Sequence, residues 1–237
     1  MKLSNLAVAC YIYSIVAGDD SYLKFREIIK NSPNLCKQEH RNVLLEFLNN
    51  FGCRHIAKDS DNRERASEKI HCWYKKYSKG LPQETEKLWK LKDENLKSFN
   101  GLHCTLSELV VTCRIDGKNV KLGHVGAAKM LFAIRPNAFP PWDSKIRKEL
   151  EKRYKGRSYG DYLKHVRKVI LDLKEPCKNH KINLDDLPKA LGRPNSTVVK
   201  LIDEYYWITI TKKFTEEFNL EEIVRRWKKW AKIKNKR

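Results

Sequence analysis

Asp143 is the residue whose setting most invites chemistry. It follows Pro140-Pro141-Trp142 and precedes Ser144-Lys145-Ile146-Arg147. Proline fixes φ and restricts the residue before it, so the approach to Asp143 is stiff. The carboxylate then has two possible jobs. It can cap the helix that follows, or it can stand at the mouth of a cleft beside Trp142, an indole able to stack on a base. Upstream lies Leu122-Gly123-His124-Val125-Gly126. A turn with glycine on both sides of two residues can present backbone N–H groups outward. If it opens a helix, those groups and the helix dipole favour a bound anion such as a DNA phosphate. Lys118, Lys121 and Lys129 add positive charge nearby. The alternative is a plain helix connection that uses glycine for its φ freedom.

The elements that must position these residues read as mostly helical. Apolar residues recur at helical spacing in four stripes: Val43 to Phe51, Ile70 to Tyr77, Tyr159 to Leu173, and Phe218 to Trp230. Each is expected to be core, because a helix must bury one face. A short apolar helix is expected over Ala127 to Ile134, and an amphipathic one with Ile146, Leu150 and Tyr154 after Asp143. Ser107 and Glu108 are expected inside a helix carrying Leu106, Leu109 and Val110. The stretch from Val111 to Leu122 is ambiguous, since Asp116-Gly117 is a hairpin-turn signal while its flanks suit a helix end. Breakers at Ser32-Pro33-Asn34, Gly80-Leu81-Pro82, Pro136, Gly156, Pro176 and Gly192-Arg193-Pro194 separate the segments.

Composition narrows the partner. The chain has 237 residues, 49 Lys+Arg against 29 Asp+Glu, and a formal charge of +20. Such a charge on a chain long enough to bury a core favours a polyanion: DNA, RNA or an acidic membrane face. With 41 % apolar residues and six Trp, the chain is not a disordered basic tail. Seven cysteines without C-x-x-C spacing argue against a thiolate zinc site or a disulfide scaffold. Reduced, mostly buried thiols in a cytosolic protein are expected. Lys2 followed by Leu6 to Ala17 mimics a secretory signal, but Tyr11, Tyr13 and Ser14 dilute the run, and a core helix is expected instead. The run is too short to span a bilayer. Lys232 to Arg237 is expected to be a basic tail.

From the glycine turn through the apolar helix and proline-rich link to Asp143-Ser144-Lys145-Ile146-Arg147, about thirty residues resemble the helix–hairpin–helix DNA glycosylase superfamily. The resemblance implies an all-α fold of two helical lobes flanking a DNA-binding cleft. One lobe would comprise about 1–30 plus 140–237, the other about 31–139 with the hairpin at 121–134. It implies a hairpin that grips a DNA phosphate and a catalytic carboxylate at Asp143. The DNA-binding set would be Lys121, Gly123, His124, Gly126, Lys129, Lys145 and Arg147. The sequence departs from the family pattern in places. His124 stands where the first hairpin glycine belongs, and the link to Asp143 is short. Ala128 occupies the position of the lyase lysine, with Lys129 one step on, about 100° around a helix. A monofunctional enzyme is therefore expected, with Lys129 catalytic only if the register shifts. Only Cys177 lies beyond Asp143, so the family's four-cysteine iron–sulfur cluster is absent.

The expectation is thus a DNA N-glycosylase acting on a damaged or modified base in double-stranded DNA. It would be a monomer without metal or organic cofactor, cytoplasmic and nucleoid-associated if prokaryotic, in housekeeping repair or in defence against foreign modified DNA. Trp142, Tyr205, Tyr206 and Trp207 are candidates for the base pocket, though buried aromatics are the commoner outcome. Arg54, His55, Arg63, Arg65 and Lys69 form either a DNA-facing patch or a solvated face. No nucleotide-binding loop or zinc-deaminase pattern is present. The alternative is a regulatory DNA-binding protein using the hairpin and the helix–turn–helix-like segment Leu187 to Ile202. A third reading, RNA binding, would show as a preference for single strands.

Overall fold

The structure is a computed structural model that describes residues 1–17, 21–30, 32–53, 60–113, 116–154 and 158–213. The expected Phe218–Trp230 stripe, the terminal basic run, Arg54 and His55 lie outside the described residues. The fold is mainly helical. In chain order come α1 (Leu3–Val16), α2 (Ser21–Ile28), α3 (Gln38–Asn50), α4 (Ser60–Tyr77) and α5 (Asp93–Ser107). A small antiparallel sheet follows, β1 (Val110–Cys113) and β2 (Asn119–Lys121). Then come α6 (Gly123–Ile134), α7 (Ser144–Tyr154), α8 (Tyr159–Asp172), α9 (Lys174–Asn179), α10 (Leu187–Ala190) and α11 (Val198–Tyr206), which runs into a π-helical turn, Trp207–Thr211.

Helix α6 is the centre of the core. Every residue from Gly126 to Ile134 is buried, as expected of a helix apolar on all sides. It packs on α5 and α3, and Phe132 meets Tyr22 of α2 at 4.6 Å between ring centroids. Helix α1 is a core helix, burying Leu6, Ala9, Cys10 and Tyr13 against α11. No described helix is long and apolar enough to cross a membrane. Helix α8 starts with a capping box: Ser158 Oγ accepts from Asp161 N at 3.1 Å, and Asp161 Oδ2 accepts from Ser158 N at 3.2 Å. Two residues on, a Cβ on Gly160 would lie 3.1 Å from Asn100 Cβ, so glycine lets α8 approach α5.

The ambiguous stretch from Val111 to Leu122 is a β-hairpin. β1 pairs with β2 in the register Val110–Lys121, Thr112–Val120 and Cys113–Asn119, with a bulge after Val110. Gly117 takes φ +77°, the left-handed conformation that Asp-Gly turns need. The expectation that α5 carries Leu109 and Val110 is corrected, since α5 ends at Ser107. The Thr105 and Ser107 hydroxyls donate to the carbonyls of Leu102 and Cys104, which loosens the last turn. The β-branched pair Val110-Val111 then begins the strand. The cysteine expectation is also corrected: all seven are free, but Cys36, Cys72, Cys104 and Cys113 are exposed.

Candidate nucleic-acid interface and carboxylate site

The glycine turn is the first turn of α6, entered directly from β2. Helices α5 and α6 flank the β-hairpin in sequence and pack against each other. Gly123 takes φ +72° and is half-buried, His124 is exposed, and Gly126 is buried inside the helix. The N-cap residue, Leu122, makes no side-chain cap, so among the described residues the first amides of the helix have no capping side chain. Lys118 lies at the hairpin tip, 3.5 Å from Asp116, and Lys121, two residues before Gly123, is bound to Glu108, whose carboxyl it holds below the usual range. Lys121 therefore offers a phosphate a shared charge rather than a free one. A Cβ at position 123 would meet nothing within 4 Å. Gly123→Ala should then cost only the left-handed backbone term, about 1–2 kcal/mol, read as a lower urea midpoint with an unchanged slope.

Asp143 is the N-cap of α7. Its Oδ1 accepts from Lys145 N at 2.7 Å and Ile146 N at 2.9 Å. Its Oδ2 accepts from the Thr211 hydroxyl at 3.1 Å. An ionised carboxylate has about four acceptor sites, so one site on Oδ2 is left for a water or substrate. The side chain is half-buried. Lys145 is exposed and reaches the Thr211 carbonyl at 3.5 Å. The π-helical turn after α11 thus clamps the carboxylate from the far side. No part of the sequence pattern pointed to Thr211.

An aromatic column joins the turn to the carboxylate. His124 stacks on His103 with centroids 5.5 Å apart, and His103 stacks on Tyr159 at 4.3 Å. His103 also meets Trp142 edge-on at 5.8 Å, and Trp142 stacks on Tyr162 at 5.5 Å and 12°. The Tyr159 and Tyr162 hydroxyls donate to the Pro140 and Pro141 carbonyls at 2.8 and 3.0 Å, which fixes the link before Asp143. The expected stacking of Trp142 on a base is corrected. The ring is 3 % exposed, Tyr162 covers one face, and Arg147 Cζ lies 5.9 Å from its centroid. Among the described residues, its indole N–H and Arg147 Nε are buried without a hydrogen-bond partner. Arg147 also lies 4.0 Å from Glu151.

His103 makes the column pH-sensitive. Its Nε2 lies 3.1 Å from the His124 carbonyl, which can only accept, so the neutral ring carries its proton on Nε2. Burial pushes its pKa down to about 4; the hydrogen bond to the His124 carbonyl opposes this, and the charges of His124 and Arg147 add smaller downward pulls. The unfolded chain, with a pKa near ~6.5, takes up the proton first as pH falls. Stability from neutral His103 is full above about pH 6.5 and is lost towards about pH 4, roughly 3 kcal/mol in all. His165 is shifted the same way by burial. The difference between wild type and His103→Gln isolates His103: the pH 7.5-to-4.5 loss in urea-measured stability should shrink by about 2.5 kcal/mol.

The remaining candidates lie in the core. Lys129 is 8 % exposed; its ammonium donates to the Phe51 carbonyl at the end of α3 and lies 4.5 Å from the Phe51 ring. A cation is favourable at that helix end, so Lys129 has a structural role. Tyr205 and Tyr206 are 8 % and 7 % exposed, and Tyr206 Oη is 2.7 Å from His165 Nε2. Trp207 is half-buried, edge-on to Tyr13 at 5.3 Å. Of the two outcomes open to these base-pocket candidates, the two tyrosines take the commoner one, burial, since all nine residues of α11 are buried. For the same reason the segment Leu187 to Ile202 offers no recognition helix to a DNA groove, and α10 is a single turn.

Sequence reasoning missed the charges inside α11. Lys200 is 1 % exposed, Asp203 5 % and Glu204 0 %. Lys200 Nζ donates to Asp203 Oδ2 at 2.6 Å and to the Tyr13 hydroxyl at 3.3 Å. Arg193 donates to Glu204 at 2.9 Å. Burial pushes the Asp203 carboxyl up more than Lys200 pulls it down, and the charges of Asp143 and Lys129 both reach it. The available signal was three charges interrupting the apolar run from Val198 to Ile210. Among the described residues, no group of three or more His, Cys, Asp or Glu is placed to hold a metal ion. Compared with known proteins, the chain matches no family model, no curated protein and no solved structure.

Proposed function

We propose that this is a DNA-binding hydrolase, and more specifically a DNA glycosylase that hydrolyses the N-glycosidic bond of a damaged or modified base. The observation that carries the reading is Asp143: a half-buried carboxylate fixed by three donors with one acceptor site left over. It is joined through the His124–His103–Trp142 contacts to an uncapped helix start. The turn at Gly123 to Gly126 would bind a backbone phosphate through the α6 amides. The wider positive surface would collect duplex DNA with salt-dependent affinity. The finer architecture belongs to the same proposal: a helix–hairpin–helix built from α5, the β-hairpin and α6, and two lobes with a cleft between them, acting as a monomer.

In the reaction the target nucleotide leaves the stack at a cost of a few kcal/mol. Breaking the bond from the sugar C1′ to the base nitrogen develops positive charge on the sugar. Asp143 stabilises that charge and orients a water. The water oxygen bonds to C1′, one of its protons passes to the departing base, and an abasic site remains. With Ala128 at the lyase position and Lys129 committed to the end of α3, strand cleavage should need added alkali. The test incubates the protein with duplexes that each carry one modified base and then treats them with alkali. Cleavage of at least one duplex supports the reading, and no release across the panel overturns it. Cleavage before alkali would return Lys129 to the chemistry.

A further inference from the structure

Beside the glycine turn, α4 and the end of α5 enclose an open groove of about 370 Å3. Trp73 forms its floor, 4 % exposed, and donates from Nε1 to Thr105 at 3.1 Å. Tyr77 leans on Trp73 with centroids 5.6 Å apart. Lys69, Cys72 and Lys76 line the groove from successive turns of α4, and Lys76 Nζ lies 5.2 Å from the Tyr77 ring centroid. Among the described residues neither lysine is paired with a carboxylate. Glu108, on the rim, is bound to Lys121.

A space of this size suits a group of nucleoside dimensions. Its aromatic wall suits a flat ring, and the two ammonium groups suit phosphates on either side. The bases of an intact duplex are stacked on one another and cannot enter. The groove also adjoins the turn. Leu109, in its wall, accepts from Leu122 N at 2.9 Å, one residue before Gly123. We propose that this groove binds an unpaired nucleotide of a nucleic-acid strand, its base against Tyr77 and its flanking phosphates at Lys69 and Lys76. The site shares only the nucleic-acid part of the proposed function and needs no base hydrolysis.

Cys72 is the reporter, exposed in the groove. In a Cys36→Ser/Cys104→Ser/Cys113→Ser background, its alkylation rate is measured with oligothymidylate, a blunt duplex or polyglutamate. Oligothymidylate should slow alkylation at least tenfold, and the other two should not. Lys69→Gln/Lys76→Gln should remove the protection and lower the log–log salt slope of oligonucleotide binding by about 1.4, two contacts on a single strand. Tyr77→Leu, with its fold checked by thermal melting, should weaken that binding about 5- to 150-fold, the contribution of one stacked base. Equal alkylation with oligothymidylate bound, no binding at all, or equal protection by duplex or by polyglutamate would overturn the groove proposal. Base release without Cys72 protection would sink the groove alone; protection without base release would sink the hydrolase alone.

Discussion

Asp143→Asn should abolish measurable base release while leaving the protein folded and bound to DNA. The asparagine carbonyl can accept the two α7 amides that Oδ1 now accepts at 2.7 and 2.9 Å. Asparagine and aspartate cap helices about equally well. The amide that replaces Oδ2 can donate to the Thr211 hydroxyl, which now donates to it. The cost to the fold is then the lost charge–dipole attraction, about 0.3–1 kcal/mol. The cost to the reaction is the full negative charge facing a developing cation. Removing one electrostatic contact to a transition state costs about 10²–10³-fold in rate, and a whole charge should cost at least that. Duplex affinity should hold or tighten, because a negative group leaves a surface that meets phosphates. Asp143→Ala is the contrast: it should lose activity and also about 1 kcal/mol of stability with the cap. Single-turnover base release, duplex binding and urea melts on the three proteins separate these effects. If Asp143→Asn releases base at the wild-type rate, Asp143 is only a helix cap.

Local chemistry decided which parts of this molecule were readable in advance. Asp116-Gly117 carries the turn signal of the β-hairpin, because a turn type depends on two residues, but the stretch around it stays ambiguous because its flanks also suit a helix end. Thr197 caps α11, accepting from Lys200 N at 3.1 Å, another contact set by residues within four positions. The proline link and Asp143 could be placed at a helix start because Pro and N-cap preferences act within four residues. Trp142 could not be placed. Its ring is closed off by Tyr162 and His103, from helices α8 and α5, and nothing near position 142 in the sequence implies them. Lys129 presents the same difficulty: its partner is the Phe51 carbonyl, 78 positions away. A lysine on an apolar helix reads as a candidate nucleophile until the acceptor at the end of α3 is known. Thr211 escaped notice because its value to Asp143 depends on a π-helical turn that brings it back over α7.

The buried charges of α11 set up the second large effect. Lys200→Met should destabilise the protein by about 3–5 kcal/mol, because it strands a carboxylate in the core. Asp203 has only 8 % of its side chain exposed and already feels the charge of Asp143. Without Lys200 it must bind a proton or open the structure. Asp203→Leu should cost a similar amount, because Lys200, 1 % exposed, would lose the carboxylate it now reaches at 2.6 Å. The double variant Lys200→Met/Asp203→Leu removes both desolvated charges and fills the space with apolar side chains of similar size. It should recover most of the loss and come within about 1–2 kcal/mol of wild type, since replacing a whole buried pair is often neutral or stabilising. The coupling energy from urea unfolding of the four proteins is the measured quantity. A double variant as unstable as either single would mean that each charge depends on other partners, with Tyr13 for Lys200 and the Arg193–Glu204 pair the nearest candidates. Recovery would show that α11 needs neutrality at this point rather than these particular ions. The same helix would then be free to hold Thr211 over Asp143 whether or not the ion pair is present.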